Sequence, residues 1–169
     1  MVKQFRLARI PQIVFRSGAI NDIPAIAAGY GNNLAIVTGA RSLAASPKYE
    51  ILLEQLTSLG VRISHVSVAG EPSPAIIDEA VNRLKGAGIS LVAGIGGGSV
   101  MDAGKAISAM LTVDGSVTEF LEVVGSREHP GTKVPFIAVP TTSGTGSEAT
   151  KNAVITKVGR EGFKRSLRH

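Results

Sequence analysis

Four short runs of apolar residues, repeated at near-regular intervals, constrain the fold of this chain most strongly. They are 34–37, 61–68, 91–95 and 136–139. Three of them are almost continuous rather than alternating, which is typical of strands buried on both faces of a sheet. Because helix-like segments lie between them, the order predicts right-handed crossover units in a parallel sheet. The expected fold class is therefore α/β, with helices flanking a parallel sheet.

The segments between these runs carry the usual signals of helix ends. Pro47 directly follows Ser46, so a capping residue and a proline at the first position begin a helix. Helices are predicted over 47–60, 74–84 and from near Ser99 to Met110. Shorter elements are predicted as an edge strand over 10–15, a helix over 21–28 and a strand over 153–156.

The net charge of +5 is concentrated in the last 19 residues. Residues 1–150 contain 12 Lys and Arg against 12 Asp and Glu, so the body of the chain is neutral. The excess comes from basic residues in 151–169, where Glu161 is the single acidic residue. A basic extension can bind anions, but a neutral body argues against a nucleic-acid-binding domain.

Composition excludes several other classes of function. Because the chain has no cysteine, it has no disulfide, thiolate metal site or cysteine nucleophile. With 4% aromatic residues and no tryptophan, a stacking platform for single-stranded nucleic acid is not expected. No apolar run approaches the length of a membrane span, and the first ten residues lack the apolar core of a signal peptide. We therefore expect a soluble cytoplasmic protein with a single domain over 1–169.

Three consecutive glycines, Gly96, Gly97 and Gly98, join the third apolar run to a predicted helix. Residues without side chains let a ligand approach the backbone, and the first N–H groups of a helix attract an anion. The alternative is a tight turn without a ligand, but one glycine is usually enough for that. The loop therefore predicts diphosphate binding.

Two common phosphate-binding motifs do not fit this loop. The dinucleotide fingerprint G-x-G-x-x-G, started at Gly94, needs glycine where Ser99 stands. The P-loop needs four residues between its glycines, whereas five separate Gly98 from Gly104. An ordinary Rossmann dehydrogenase and a P-loop ATPase are thus both excluded.

A loop rich in hydroxyl groups follows the fourth apolar run. Residues 140–150 contain six serines or threonines and two glycines. Such short donors and acceptors suit ribose and base, although an ordinary polar surface loop has the same composition. Since the carboxyl ends of parallel strands share one edge of a sheet, both loops are expected to face one ligand.

Together the two loops resemble the N-terminal nucleotide-binding domain of the iron-containing (group III) alcohol dehydrogenases. The matching stretches are GIGGGSVMDAGKA and VPFIAVPTTSGTGSEATKNAVIT, and Ile36-Val37-Thr38 and Gly70-Glu71-Pro72 precede them in the expected order. The resemblance covers the whole chain and implies a Rossmann-like, dehydroquinate synthase-like domain. It also implies an NAD(P)-dependent oxidoreductase that moves a hydride between a nicotinamide cofactor and an alcohol, aldehyde or ketone.

The resemblance further implies which residues bind the cofactor. Ser73 would meet the adenosine, and the triple-glycine loop with Ser99 would hold the diphosphate. The three loop glycines are Gly96, Gly97 and Gly98. From the hydroxyl-rich loop and the residues after it, the resemblance adds Thr141, Thr142, Thr145, Ser147, Thr150, Asn152 and Lys164. Asp102 would lie beside the nicotinamide. Its alternative role is a helix N-terminal carboxylate paired with Lys105, and the two roles are compatible.

One position departs from many NAD-using members, whose first central strand ends in Thr-Asp with a carboxylate on the ribose hydroxyls. Here the strand ends Thr38-Gly39-Ala40-Arg41-Ser42. Without the carboxylate, Gly39 leaves room for a 2′-phosphate, to which Arg41 and Ser42 could donate hydrogen bonds. We therefore predict a preference for NADP over NAD. The alternative for Arg41 is a solvated residue at a helix start.

The metal of this family is held by one aspartate and three histidines in a following all-helical domain. This chain has only His65, His129 and His169, of which no two have ligand spacing. We expect no metal site within it, and Fe²⁺ or another divalent metal only with a second domain, to which 151–169 would lead. Alone, the chain is expected to bind cofactor with little or no turnover and to self-associate through its exposed cleft wall.

Two alternatives stay open. The first is a glycerol dehydrogenase or dehydroquinate synthase-like enzyme on the same scaffold, although the GTGSEAT stretch favours the alcohol dehydrogenases. The second is a stand-alone nucleotide-binding module without catalysis. The substrate, a small alcohol or carbonyl compound, is not identified because most of its contacts would lie in the second domain.

Overall fold

The computed structural model describes residues 11–41, 43 and 46–168. Ser42, His169 and the predicted strand start at Ile10 lie outside these residues. The helices are α1 (Ile23–Ala28), α2 (Pro47–Ser58), α3 (Pro74–Leu84) and α4 (Gly98–Met110), with 3-10 turns at Ala19–Asp22, Val117–Phe120 and Ser147–Ala149. The strands are β1 (Asn33–Gly39), β2 (Arg62–Val68), β3 (Leu91–Gly96), β4 (Phe136–Pro140), β5 (Asn152–Lys157) and β6 (Phe163–Arg168).

Four parallel strands form the main sheet in the order β2-β1-β3-β4, which confirms the predicted fold class. Thr38 lies opposite Ser67 on one side and Ile95 on the other, so the carboxyl ends of these strands are level. The chain passes from β1 to β2 and then back across β1 to β3, so strand order reverses between β1 and β3. Open α/β sheets bind ligands at such a reversal, beyond the carboxyl ends.

The two central strands are buried on both faces. All residues of 34–38 in β1 and of 91–96 in β3 are buried. Helices α1 and α2 cover one face, and α3 and α4 cover the other. This double cover explains why the apolar runs show no alternation. Every helix in the described part of the chain falls short of the length and apolar character that a bilayer crossing needs.

The edge strand predicted over 10–15 is wrong for its described part, because residues 11–15 form neither strand nor helix. Pro11 lacks an N–H group for a ladder, and the Ile13 and Phe15 side chains are exposed rather than packed on a core. No buried face therefore stabilises a strand there.

The strand predicted over 153–156 exists as β5, but it pairs with β6 in a separate antiparallel hairpin. Ala153, Ile155 and Leu167 are buried in the same core as α4. Lys164 and Arg165 of β6 are exposed. The basic segment is thus packed onto the sheet domain by its apolar side. Whether it leads into a further domain stays a prediction.

Helix α4 lies close to the sheet because glycine occupies the contact positions. A Cβ atom at Gly104 would lie 2.6 Å from Cε2 of Phe136, and one at Gly94 would lie 3.1 Å from its Cζ. The Phe136 ring on β4 thus fills the space that side chains at Gly94 and Gly104 would need. This packing sets where the N-terminus of α4 points.

We expect Gly104→Val to destabilise the chain by about 1–3 kcal/mol, because the new side chain overlaps the Phe136 ring. Urea unfolding followed by far-UV circular dichroism measures the loss. In a Phe136→Ala background the same substitution should lower the free energy of unfolding by less, since the ring is absent. An equal cost in both backgrounds would contradict this account of the packing.

Candidate functional site

The N-terminus of α4 lies at the reversal point of the sheet. Strand β3 ends at Gly96, Gly97 is the cap residue, and the helix begins at Gly98. The N–H groups of Val100 and Met101 both donate to Gly97 O at 3.0 Å. Within the described residues, the N–H groups of Gly98 and Ser99 have no backbone acceptor. Two free donors at the positive end of a helix make an anion site.

The glycine loop and the hydroxyl-rich loop face each other across this point. A Cβ atom at Gly97 would lie 3.4 Å from Thr142 Oγ1, and one at Gly98 would lie 3.2 Å from Thr145 Cγ2. The Thr141 N–H donates to Gly96 O at 2.9 Å, which extends the β3–β4 pairing into the loop. The structure thus brings together the two segments that the sequence analysis paired.

Beside the helix N-terminus, a cleft of about 300 Å³ opens between α4 and the β5–β6 hairpin. The predicted cofactor residues that line it are Gly98, Ser99, Asp102, Thr145, Ser147, Thr150, Asn152 and Lys164. Its other lining residues are Glu71, Pro72, Val154 and Thr156. Half of the predicted site residues therefore share one cavity, and their contact with a cofactor stays a prediction.

Asp102 forms the ion pair that was its alternative role. Its Oδ1 lies 3.0 Å from Lys105 Nζ, and the two side chains are only 15% and 14% exposed. Ser147 Oγ donates to the same oxygen at 2.5 Å and accepts from Lys105 Nζ at 2.8 Å. Asp102 also lines the cleft, so the ion pair does not remove it from the site. No local sequence pattern predicts the contact between Lys105 and the loop.

Lys164 enters the cleft from β6 and is held by a residue that the sequence analysis did not place in the site. Glu71 Oε1 accepts from Lys164 Nζ at 2.9 Å, and Glu71 Oε2 accepts from Thr156 Oγ1 at 2.5 Å. The Thr156 hydroxyl, followed by the Lys164 ammonium, lowers the pKa of the Glu71 carboxyl. Behind them, the Thr156 N–H donates to Pro72 O at 2.8 Å. These bonds join the loop before α3 to the hairpin.

A second cavity, of about 330 Å³, lies at the end of β1 and is lined by Ala40, Arg41, Val68, Ala69 and Gly70. None of these five residues is acidic. Gly39 adjoins the glycine loop, since a Cβ atom there would lie 3.9 Å from Val100 Cγ2. Arg41 thus lies beside an open space at the carboxyl end of the sheet, and its contact with a cofactor stays a prediction.

Ser73, expected near the adenosine, is the cap residue of α3. The Ile76 N–H donates to its Oγ at 3.4 Å, and Pro74 occupies the first helical position. The predicted bounds of α3, 74–84, are confirmed by this capped start. A capping hydroxyl keeps one lone pair for another donor, so the expected role of Ser73 stays a prediction.

A family model described as iron-containing alcohol dehydrogenase matches residues 11–169. The chain belongs to that family. The predicted family and the Rossmann-like fold are confirmed, and the members that match are named as oxidoreductases.

Individual iron-containing alcohol dehydrogenases and their relatives match with moderate identity. The probable NADH-dependent butanol dehydrogenase 1 of Bacillus subtilis is 32% identical over 147 residues, which are 86% of this chain and 37% of that protein. The structure of NADH-dependent butanol dehydrogenase A from Thermotoga maritima matches 99% of this chain and 42% of its own, with 28% identity and a TM-score of 0.86. Sulfoacetaldehyde reductase from Bifidobacterium kashiwanohense, solved in complex with NAD⁺, matches 98% and 43%, with 25% identity and a TM-score of 0.84.

The chain therefore spans 37–43% of the length of these relatives.

The iron in the family's name has no fitting ligand set in the described residues, where no three His, Asp or Glu side chains converge on a metal site. His65 in β2 has its Nε2 2.8 Å from Thr38 Oγ1. His129 is buried, and its Nδ1 accepts from the Gly131 N–H at 3.0 Å. Both described histidines thus have contacts within the fold, and neither lines the cleft.

The Glu71 contacts give a pH-dependent contribution to stability. Because its folded-state pKa is lowered, the contribution is present above the unfolded pKa of about 4.5 and is lost as pH falls through the folded value. We expect Glu71→Gln to lower the urea midpoint at pH 7 and to lower it less at pH 3, because the contribution declines as pH falls below the unfolded pKa. The matched variant Glu54→Gln, at an exposed position of α2, should not share this pattern. A Glu71→Gln effect that is the same at both pH values would refute the assignment.

Proposed function

We propose that this chain is the cofactor-binding domain of an iron-containing alcohol dehydrogenase, which exchanges a hydride between a nicotinamide dinucleotide and an alcohol, aldehyde or ketone. The observation that carries the proposal is the pair of free N–H groups of Gly98 and Ser99, which open into a cleft of the predicted residues. The NAD⁺ complex of the similar sulfoacetaldehyde reductase supports it.

The chain's own residues bind and orient the dinucleotide. The N–H groups at the start of α4 hold the diphosphate, since they supply both hydrogen bonds and the positive end of the helix dipole. Gly97 and Gly98 have no side chain, so the phosphate oxygens reach the backbone. Hydroxyl groups of the facing loop hold the adjoining riboses; they belong to Thr141, Thr142, Thr145, Ser147 and Thr150. The bound dinucleotide supplies the redox chemistry as hydride donor or acceptor.

Turnover needs more than the described residues contain. They contain no cluster of three or more His, Asp or Glu side chains that could hold a metal ion. Asp102, the acidic residue in the cleft nearest the helix N-terminus, is bonded to Lys105 and Ser147. We infer that this chain binds the dinucleotide with little or no turnover unless it is joined to a metal-binding domain.

The diphosphate site is tested at Gly97. A Cβ atom there meets only ordinary contacts with Thr142. We expect the methyl groups of Gly97→Val to obstruct the close approach of a phosphate to the amides, and circular dichroism checks that the variant is folded. We expect NADH and NADPH affinities, measured by calorimetry, to fall at least about tenfold, as for one or two lost hydrogen bonds to a charged phosphate. Ala87→Val, at an exposed position after α3, is the control. Unchanged affinity in a folded Gly97→Val variant, or no binding by the unmodified chain, would refute the proposal.

We further propose a preference for NADPH over NADH. The open space beside Arg41 and the lack of an acidic lining residue support it, because a 2′-phosphate there would meet a guanidinium and no like charge. Ser42 lies outside the described residues. Two relatives are named NADH-dependent, so this preference would distinguish the chain from them.

Arg41→Gln tests this preference. Removing the guanidinium should lower the affinity for NADPH by about tenfold and leave the affinity for NADH unchanged, because NADH carries no 2′-phosphate. Competitive titration of both cofactors gives the two affinities. Arg62→Gln is the matched control, since Arg62 begins β2 at the opposite end of the sheet and donates to Asn33. Tighter binding of NADH than NADPH by the unmodified chain would overturn the proposal.

A further inference from the structure

Lys105 ties α4 to the far wall of the cleft. Its Nζ donates to the backbone oxygens of Ser147 at 2.8 Å and Asn152 at 2.5 Å. It also lies 3.1 Å from Thr150 Oγ1. One side chain thus contacts both ends of the segment 147–152, and the Asp102 carboxylate at 3.0 Å balances its charge.

The segment that Lys105 holds has few other anchors. Residues 141–145 and 148–151 are exposed, so no packed side chain fixes them. Gly144 and Gly146, with φ of 105° and 63°, precede the segment and supply no steric restraint. Its local bonds differ in length: the Ala149 N–H donates to Gly146 O at 3.0 Å, whereas Thr150 N to Ser147 O and Ser147 N to Thr145 Oγ1 are each 3.4 Å. Ser147 is also bonded to Asp102, and Asn152 is paired with Arg168 in the hairpin. Lys105 is the side chain that contacts both ends of the segment at once, so the position of this wall depends on it.

We propose that Lys105 is a positioning residue that pre-forms the wall of the cleft for the nicotinamide riboside half of the dinucleotide. The inference rests on the proposed function, in which the diphosphate lies at Gly98 and Ser99. The cavity beside Arg41 then takes the adenosine half, and the cleft walled by 147–152 takes the other half. Lys105 acts on the second half alone, because its contacts lie on that side.

The test compares a whole dinucleotide with its adenosine half. The dinucleotide probe is NADH or NADPH, whichever the unmodified chain binds more tightly. The adenosine-half probe is ADP where NADH is used and 2′-phospho-ADP where NADPH is used. Because Lys105→Met alone would leave the Asp102 charge unpaired beside the anion site, Asp102→Asn/Lys105→Met is compared with Asp102→Asn. We expect loss of Lys105 to weaken the dinucleotide about tenfold, the effect of one or two lost hydrogen bonds, and to leave the adenosine half unchanged.

A chemical rescue separates the ammonium from general effects of substitution. Because the chain has no cysteine, Lys105→Cys introduces a unique thiol. Alkylation of the unfolded variant with 2-bromoethylamine, followed by refolding, replaces the lysine side chain with a thioether of nearly equal length that ends in an ammonium. Dinucleotide affinity should return on alkylation. Lys85→Met, which removes the exposed ion pair with Asp114, is the control and should change neither affinity.

Weakening of the dinucleotide alone, restored by alkylation, supports the proposal. Equal weakening of both probes, or no weakening of either, overturns it while the proposed function stands. An unmodified chain that binds neither NADH nor NADPH overturns the proposed function and this inference together.

Discussion

The cleft depends on how closely backbone and helix approach where β3 passes into α4. A Cβ atom at Gly96 would lie 2.6 Å from Cγ2 of Val100, and one at Gly104 would lie 2.6 Å from the Phe136 ring. Because both side chains are missing, α4 starts two residues after β3 ends and packs closely against the sheet. Its first N–H groups then stand at the reversal between β1 and β3. A side chain at either glycine would move the helix, and the anion site would move with it.

Much of this arrangement could be predicted because its signals are local. Ser73 and Pro74 set the start of α3 at the predicted residue, since capping and the fixed φ of proline act within one turn. The continuous apolar runs of β1 and β3 follow from burial on both faces. The position of the two loops at one edge then follows from parallel topology alone. These are the parts of the site for which chain order and residue type are enough.

The parts that could not be predicted join residues far apart in sequence. Glu71 and Lys164 are 93 positions apart, and no local pattern marks Glu71 as the partner of a cleft lysine. Lys105 has an obvious neighbour three residues away, which concealed its contacts with Ser147 and Asn152. The hairpin could not be predicted either. Strand β6 has few apolar positions among its charged residues, so no sequence pattern marks it as a strand that pairs with β5.

The electrostatics of the cleft explain why a carboxylate is tolerated next to an anion site. Asp102, in the first turns of α4, would repel a diphosphate at the helix N-terminus if it were unpaired. The Lys105 ammonium cancels this charge at 3.0 Å, in surroundings where both groups are mostly withdrawn from water. Ser147 donates a hydrogen bond to the same oxygen and so restricts rotation of the carboxylate. An entering anion therefore meets the helix dipole and the free N–H groups of Gly98 and Ser99 without an unpaired carboxylate beside them.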